Sequence, residues 1–373
     1  MNSQCPPRRR RMAFKPAVSL AIVCAAFATL GLLFTTPNAA PGGEPYTERT
    51  GVLPTSADLE RWLGTAKEIE RELQKGDPRF SLQMKKAHVY PRVLKGDEVI
   101  GRFRPEATSS SVRAEISSFN IARGLGCGEL FQPAVAIELR GKGLATFRRM
   151  LETATFPEHK EEERRELLLA IENYPESLSG AYKPMPPAEA MKYRGAERPD
   201  DPPNGGLDTN DVIAKYLRHD SPQPGRELIT LPHTGLRGSP AHLARQLSDI
   251  MLVDALAGQW DRFSGNNLHI VPTADGARLM AIDNGGADPT DDQGYLDKFC
   301  HWVTRFDEPV VEHLWALDAF LKKRGRFRGF TDEQALETAL GFEDPKEWKS
   351  FKERVRLVAA HTRAIKGERF FEK

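Results

Sequence analysis

The chain has 373 residues, enough for one large domain or two modest ones with sizeable cores, and its 40% hydrophobic content is ordinary for a globular protein. Its 53 basic and 52 acidic side chains nearly cancel. That balance makes no case for nucleic acid as a partner, and no DNA- or RNA-binding signature runs along the chain.

Arg8-Arg9-Arg10-Arg11 and Lys15 precede an apolar run from Ala17 to Phe34, whose 18 residues would span about 27 Å as a helix. Pro37 and Asn38 ahead of Ala39-Ala40 are unlike a leader cleavage site, so the run is expected to be an uncleaved signal anchor; a cleaved leader is the alternative. Basic charge before the helix keeps the tail cytoplasmic and sends the rest across the membrane. The expected order is a tail (1–16), an anchor (17–35), a stalk with a lead-in helix (36–82), a small lobe (83–183) and a large lobe (184–373).

Ser56-Ala57-Asp58-Leu59-Glu60 opens the lead-in helix, and Leu59, Leu63, Ile69 and Leu73 mark its face before Gly76-Asp77-Pro78 stops it. His88 to Phe103 reads as two strands around the turn Lys95-Gly96-Asp97. Ile116, Phe119, Ile121, Ala122 and Leu125 recur at helical spacing within Ser110–Leu125. Glu161 to Tyr174 is a charged helix, and Ser179 to Lys183 a strand leaving into a Pro-, Gly- and Asp-rich stretch, Pro184–Pro224, read as a flap or insertion. Ala241 to Trp260 is a strong apolar helix, and the chain from Glu308 onward is mostly helical. The fold class is therefore α+β and two-lobed: a small β-hairpin-plus-helix lobe, then a larger, mainly helical one, with a cleft between them as the ligand site. Cys127 and Cys300, the pair beyond the anchor, are either one disulfide or two buried thiols, and the absence of Cys-x-x-Cys argues against structural zinc.

The chemistry concentrates in Trp260-Asp261-Arg262-Phe263-Ser264-Gly265-Asn266-Asn267-Leu268 and Ala281-Ile282-Asp283-Asn284-Gly285, joined by a hairpin turning at Pro272–Gly276. If Val271 pairs with Arg278, Asn266 falls opposite Asp283, close enough for an amide oxygen and a carboxylate to share one hard cation. A catalytic-loop Asp, an Asn five residues on and a metal-binding Asp after a hairpin are the parts phosphoryl transfer requires. Any one of them alone is also an ordinary turn residue. The first half should supply a cation over the phosphates. Arg104 ends a strand and Glu115 begins the next helix, so they can form a cation–carboxylate pair; as solvated residues of an exposed strand face and a helix surface they would do nothing. Lys95, in the adjacent turn, is either a second cation for the phosphates or, the favoured reading, an exposed turn lysine. Arg262 reads as an ion-pair brace for the loop, and His269 as a strand residue without chemistry.

Phe103-Arg104-Pro105, Ala114–Arg123, Asp249-Ile250 with Asp254 ahead of Gly258–Arg262, Asn266-Asn267-Leu268, the Asp283 segment and Phe299–Trp302 resemble the secretory-pathway kinases. The four-jointed group of membrane-anchored Golgi kinases is the nearer match and the Golgi casein kinase group the more distant, over scattered blocks from His88 to Leu321. The resemblance implies an atypical protein-kinase-like fold, ATP with Mg²⁺ or Mn²⁺, and transfer to a hydroxyl acceptor, most readily Ser or Thr of a protein. It implies Asp261 as catalytic base, Asp283 as main metal ligand, Asn266 as a second, and Glu115 as partner of the phosphate-binding cation. Where that pattern has Lys before Pro, this chain has Arg104, a planar fork in place of a compact ammonium. A carbohydrate or small-molecule kinase on the same scaffold, and a pseudokinase that binds nucleotide or a partner without turnover, are the competing expectations.

Overall fold

A computed structural model describes residues 56–77, 79–85, 88–106, 112–185, 211–231, 235–263, 267–273, 276–290, 293–365 and 369–372. The anchor run Ala17–Phe34 and the stalk lie outside the described residues. Among those described, no helix is long and apolar enough to cross a membrane.

The first lobe is larger than a hairpin and a helix. Strands β1 (Phe80–Lys85), β2 (His88–Lys95), β3 (Glu98–Pro105), β4 (Val135–Arg140) and β5 (Ser177–Pro184) form one antiparallel sheet in the order β1-β2-β3-β5-β4. The expected turn at Gly96-Asp97 joins β2 to β3, while β1 and β4 are strands that the residue pattern did not reveal. One sheet face carries Val93, Phe103, Ile137 and Tyr182. It packs under Ile69 and Leu73 of helix α1 (Ser56–Lys75), Phe147 of α3 (Gly141–Thr153), and Leu167 and Ile171 of α4 (Glu161–Asn173). Phe103 meets Phe147 edge-on at 6.0 Å, a favoured aromatic geometry. Helix α1 is thus part of this core, not a lead-in to it.

Helix α2 (Val112–Leu125) follows β3 in sequence but packs into the other lobe's core, which corrects the hairpin-plus-helix expectation. Every residue in it except Arg113 is buried, including Ser117, Ser118, Asn120 and Arg123, so it has no solvent face. Its neighbours are α5 (Pro240–Ala257), α7 (Glu308–Leu321) and α8 (Glu333–Leu340); Asn120 donates to the Ala339 carbonyl at 3.2 Å. Short ribbon strands β6 (Ile229–Thr230) and β7 (Arg237–Gly238), helix α6 (Gln293–Trp302) and helix α9 (Pro345–Ala364) complete the lobe.

Helix α5 starts where Ser239 caps the His242 amide and Pro240 opens the first turn. It ends at Gly258, left-handed at φ 75°, where a Cβ would stand 2.2 Å from the Asp288 carbonyl oxygen. Only glycine fits that crossing, and it releases the chain into the Asp261 loop. The hairpin follows as β8 (Leu268–Thr273) and β9 (Gly276–Ala281), in the expected register of Val271 with Arg278. Both strands run on to Thr273↔Gly276, so the connection is tighter than the five-residue turn expected. Cys127 and Cys300 are free thiols.

Candidate active site

The site lies where the open end of the β8–β9 hairpin meets α2 and the sheet face that α1, α3 and α4 leave uncovered. Strand alternation puts Arg102 and Arg104 on that face, and the register places Lys183 of β5 opposite Arg102. Glu115, fully buried near the start of α2, is the hub. One of its oxygens, Oε1, accepts from both Arg104 Nη1 and Lys183 Nζ, the latter at 2.7 Å. The other accepts from the backbone N–H of Asn284 at 3.0 Å. Arg104 Nη1 also reaches Asp283 Oδ1 at 3.1 Å. A single carboxylate on a core helix thereby ties the sheet to the turn that carries Asp283.

That turn is strained and heavily braced. Asp283 sits at φ 49°, uncommon for any residue with a Cβ. The Ile282 carbonyl accepts from Arg262 Nη1 at 2.9 Å, the Asp283 carbonyl from Gln259 Nε2 at 3.3 Å, and Asn284 Oδ1 from Arg262 Nη2 at 2.6 Å. Arg262, fully buried, also grips Asp254 through two 2.8 Å hydrogen bonds and the Asn267 carbonyl at 2.8 Å. It is the loop brace that its position after Asp261 suggested. His269 is buried within β8, opposite Met280.

Asp261 is half-buried against the same turn. A Cβ on Gly286 would come within 2.6 Å of Asp261 Oδ1 and of Gln259 Oε1, so the carboxylate closes directly over that glycine. The environment pushes the two aspartates apart. Burial, then repulsion from Asp283, raises the Asp261 carboxyl above the usual range against the opposing pull of Arg262. Burial also disfavours the charged form of Asp283, but Lys183 and Arg104 outweigh it and hold that carboxyl below the usual range. Carboxylates displaced in opposite directions are the pattern of an acid–base site.

No protein-family model and no curated protein matches the sequence. Two solved structures of the Golgi casein kinase are similar to the chain. The one with Mn and ADP bound is 13% identical over 80% of this chain and 75% of its own, with a TM-score of 0.47. The other is 12% identical over 97% and 93%, with a TM-score of 0.48.

Of the residues singled out in the sequence, the structure brings together Asp261, Asp283, Arg104 and Glu115. Asn266 lies outside the described residues; its neighbour Asn267 accepts from the Ile282 amide at 2.9 Å, one step short of Asp283 along the ladder. Lys95 is not at the site. It pairs with Glu98 at the far end of β3, six residues from Arg104, which is about 20 Å of strand, and its ammonium lies over the Phe80 ring. Lys183 is the cation that was missed. Its signal was an ionisable residue on an inward-alternating strand, hidden because β5 looked like the exit to a loop.

Proposed function

We propose that the chain is an ATP-dependent phosphotransferase acting on a hydroxyl, with Ser or Thr of a protein as first acceptor and a glycan hydroxyl as the alternative. The observation that supports it above all is the Glu115 hub: two cations and the Asp283 turn on one buried carboxylate, with Asp261 across the turn. Phosphoryl transfer needs positioning and charge neutralisation more than covalent chemistry, and this constellation offers both.

In this reading Lys183 and Arg104 hold the donor's phosphates, and Asp261 takes the acceptor hydroxyl proton. Its raised pKa brings it nearer the operating pH, as a general base requires. Among the described residues no cluster of three or more metal-ligating side chains exists. Mg²⁺ or Mn²⁺ nevertheless fits, because such an ion commonly takes one or two carboxylates and fills its shell with phosphate oxygens and water. Asp283, half-exposed and held ionised, would be the carboxylate, with Asn266 as the proposed second ligand. When bound, the ion neutralises charge on the transferred phosphate.

Arg8–Arg11 and the Ala17–Phe34 run support a single-pass protein with its lobes on the extracytoplasmic side, and the motif set supports a place among the secretory-pathway kinases, nearest the four-jointed group. One observation favours a second reading. Arg104 already occupies Asp283 Oδ1, and in a pseudokinase that contact would hold the turn without turnover.

The test is ATP turnover by the full chain in detergent, with Mg²⁺ and with Mn²⁺. Turnover that disappears in Asp261→Ala supports the enzyme. Metal-dependent thermal stabilisation by ATP, lost in Asp283→Ala and accompanied by no turnover on peptide or sugar acceptors, would select the pseudokinase.

A further inference from the structure

The sheet face over the cleft carries more positive charge than the Glu115 hub uses. The register lines up Arg92 of β2, Arg102 of β3 and Lys183 of β5 side by side across three strands. Residues directly opposite on one face have Cβ atoms about 5 Å apart, and like charges there are destabilising. Of the three, only Lys183 has a carboxylate partner among the described residues. Arg92 and Arg102 make no ion pair or hydrogen bond to any described side chain, although Arg102 is solvent-exposed and Arg92 partly so. Partial burial of its side chain and then the charge of Arg92 lower the pKa of Arg102, and Asp283 offsets them last and least.

Arg102 precedes Arg104 by two residues on the same face, which puts it about 7 Å further from the Asp283 turn. Lys183 stands beside Arg102 in the same row, so a dianion held by Arg104 and Lys183 borders the pair but leaves Arg92, one strand further from β5, without a counter-charge. Two adjacent guanidiniums present paired N–H donors in the geometry that suits a tetrahedral oxyanion. Without such a ligand their repulsion is a standing cost to the fold.

We propose that Arg92 and Arg102 form an oxyanion subsite on the cleft face of the sheet, separate from the Asp283 turn, which takes a phosphate-type dianion. The chemistry has two possible sources: the polyphosphate of a nucleotide lying along the sheet, or a phosphate group on the acceptor. The subsite does not depend on phosphotransfer; it would stand in a pseudokinase as well.

The test is calorimetric titration of the full chain with inorganic pyrophosphate, in chelator and at low salt. Arg92→Gln and Arg102→Gln should each weaken binding tenfold or more, and Arg149→Gln, on exposed α3 across the sheet, should not change it. Each cleft variant should also melt no lower than the wild type without ligand, because it removes the repulsion within the pair and breaks no ion pair or hydrogen bond to a described side chain. With saturating ADP and Mn²⁺, loss of pyrophosphate binding assigns the subsite to the donor, and retention assigns it to the acceptor. Affinity within twofold of wild type in both variants overturns the proposal, as does a loss confined to Arg104→Gln. Asp261→Ala, assayed alongside, reports on turnover alone, so failure of the phosphotransfer reading leaves the binding result distinct.

Discussion

Arg262→Met is the perturbation whose consequence follows most directly from the structure. The guanidinium is fully buried, makes two 2.8 Å bonds to the equally buried Asp254, and supplies donors to the Asn267 and Ile282 carbonyls and to Asn284 Oδ1. Methionine fills much of the volume but leaves Asp254 as an uncompensated charge, which costs about 3–5 kcal/mol. It also strands acceptors at about 1–3 kcal/mol each where water cannot reach them. Urea unfolding should therefore show a loss of at least about 3 kcal/mol at neutral pH with the slope unchanged. The loss should shrink toward acid pH, because without Arg262 only burial acts on Asp254 and the carboxyl can protonate. Arg262→Met/Asp254→Leu should recover the charge penalty but not the carbonyl acceptors, restoring stability ahead of ATP turnover. A single-variant loss below about 1 kcal/mol would refute the brace.

Glu129, beside α2, has a carboxyl pushed up to about 7, first by burial and then by repulsion from Asp307. From an ordinary 4.5 that is about 3 kcal/mol: the native state holds the proton more tightly, so stability should rise as pH falls through 7 toward 4.5, and Glu129→Gln should flatten the slope in urea midpoints. In Gly286→Ala the new Cβ, 2.6 Å from Asp261 Oδ1, should displace that carboxylate and cut turnover at least tenfold while costing about 1–3 kcal/mol; unchanged kcat would show that Asp261 does not act from this position. Lys183→Met should lower turnover about 100-fold with Glu115 still held by Arg104, as loss of a preorganised charge at a developing anion does; activity within threefold of wild type would leave Arg104 as the sole phosphate cation.

What the residues revealed beforehand was local. The β8–β9 register followed from alternation and a turn, the end of α5 from a glycine, and the Asp261 and Asp283 positions from spacing along one short stretch. What they hid was long-range. Helix α2 looks amphipathic because Ser117, Ser118, Asn120 and Arg123 interrupt its apolar positions, yet all four are buried, Asn120 by a bond to a carbonyl 219 residues away. No local period encodes that. Strand β4 is hidden in a similar way: it runs straight into α3, and only Gly141, left-handed at φ 51°, marks the boundary. Lys95 and Lys183 show the same limit in opposite directions. The first is near Arg104 in sequence and at the far end of the strand; the second is 79 positions away and meets it on one carboxylate oxygen.

Arg104 contacts two carboxylates at once, the buried Glu115 and the Asp283 of the turn. A planar guanidinium differs from an ammonium in shape more than in charge, and Arg104 extends past Glu115 to Asp283. Lys183, from the neighbouring strand and only 11% exposed, returns a compact ammonium to the same carboxylate. Because α2 is locked into the large-lobe core, Glu115 cannot swing away from the pair, and the cation cluster is held in place without a mobile helix to set it. The arrangement therefore sets two cations on one buried carboxylate, with Arg104 also bonded to the strained Asp283 turn.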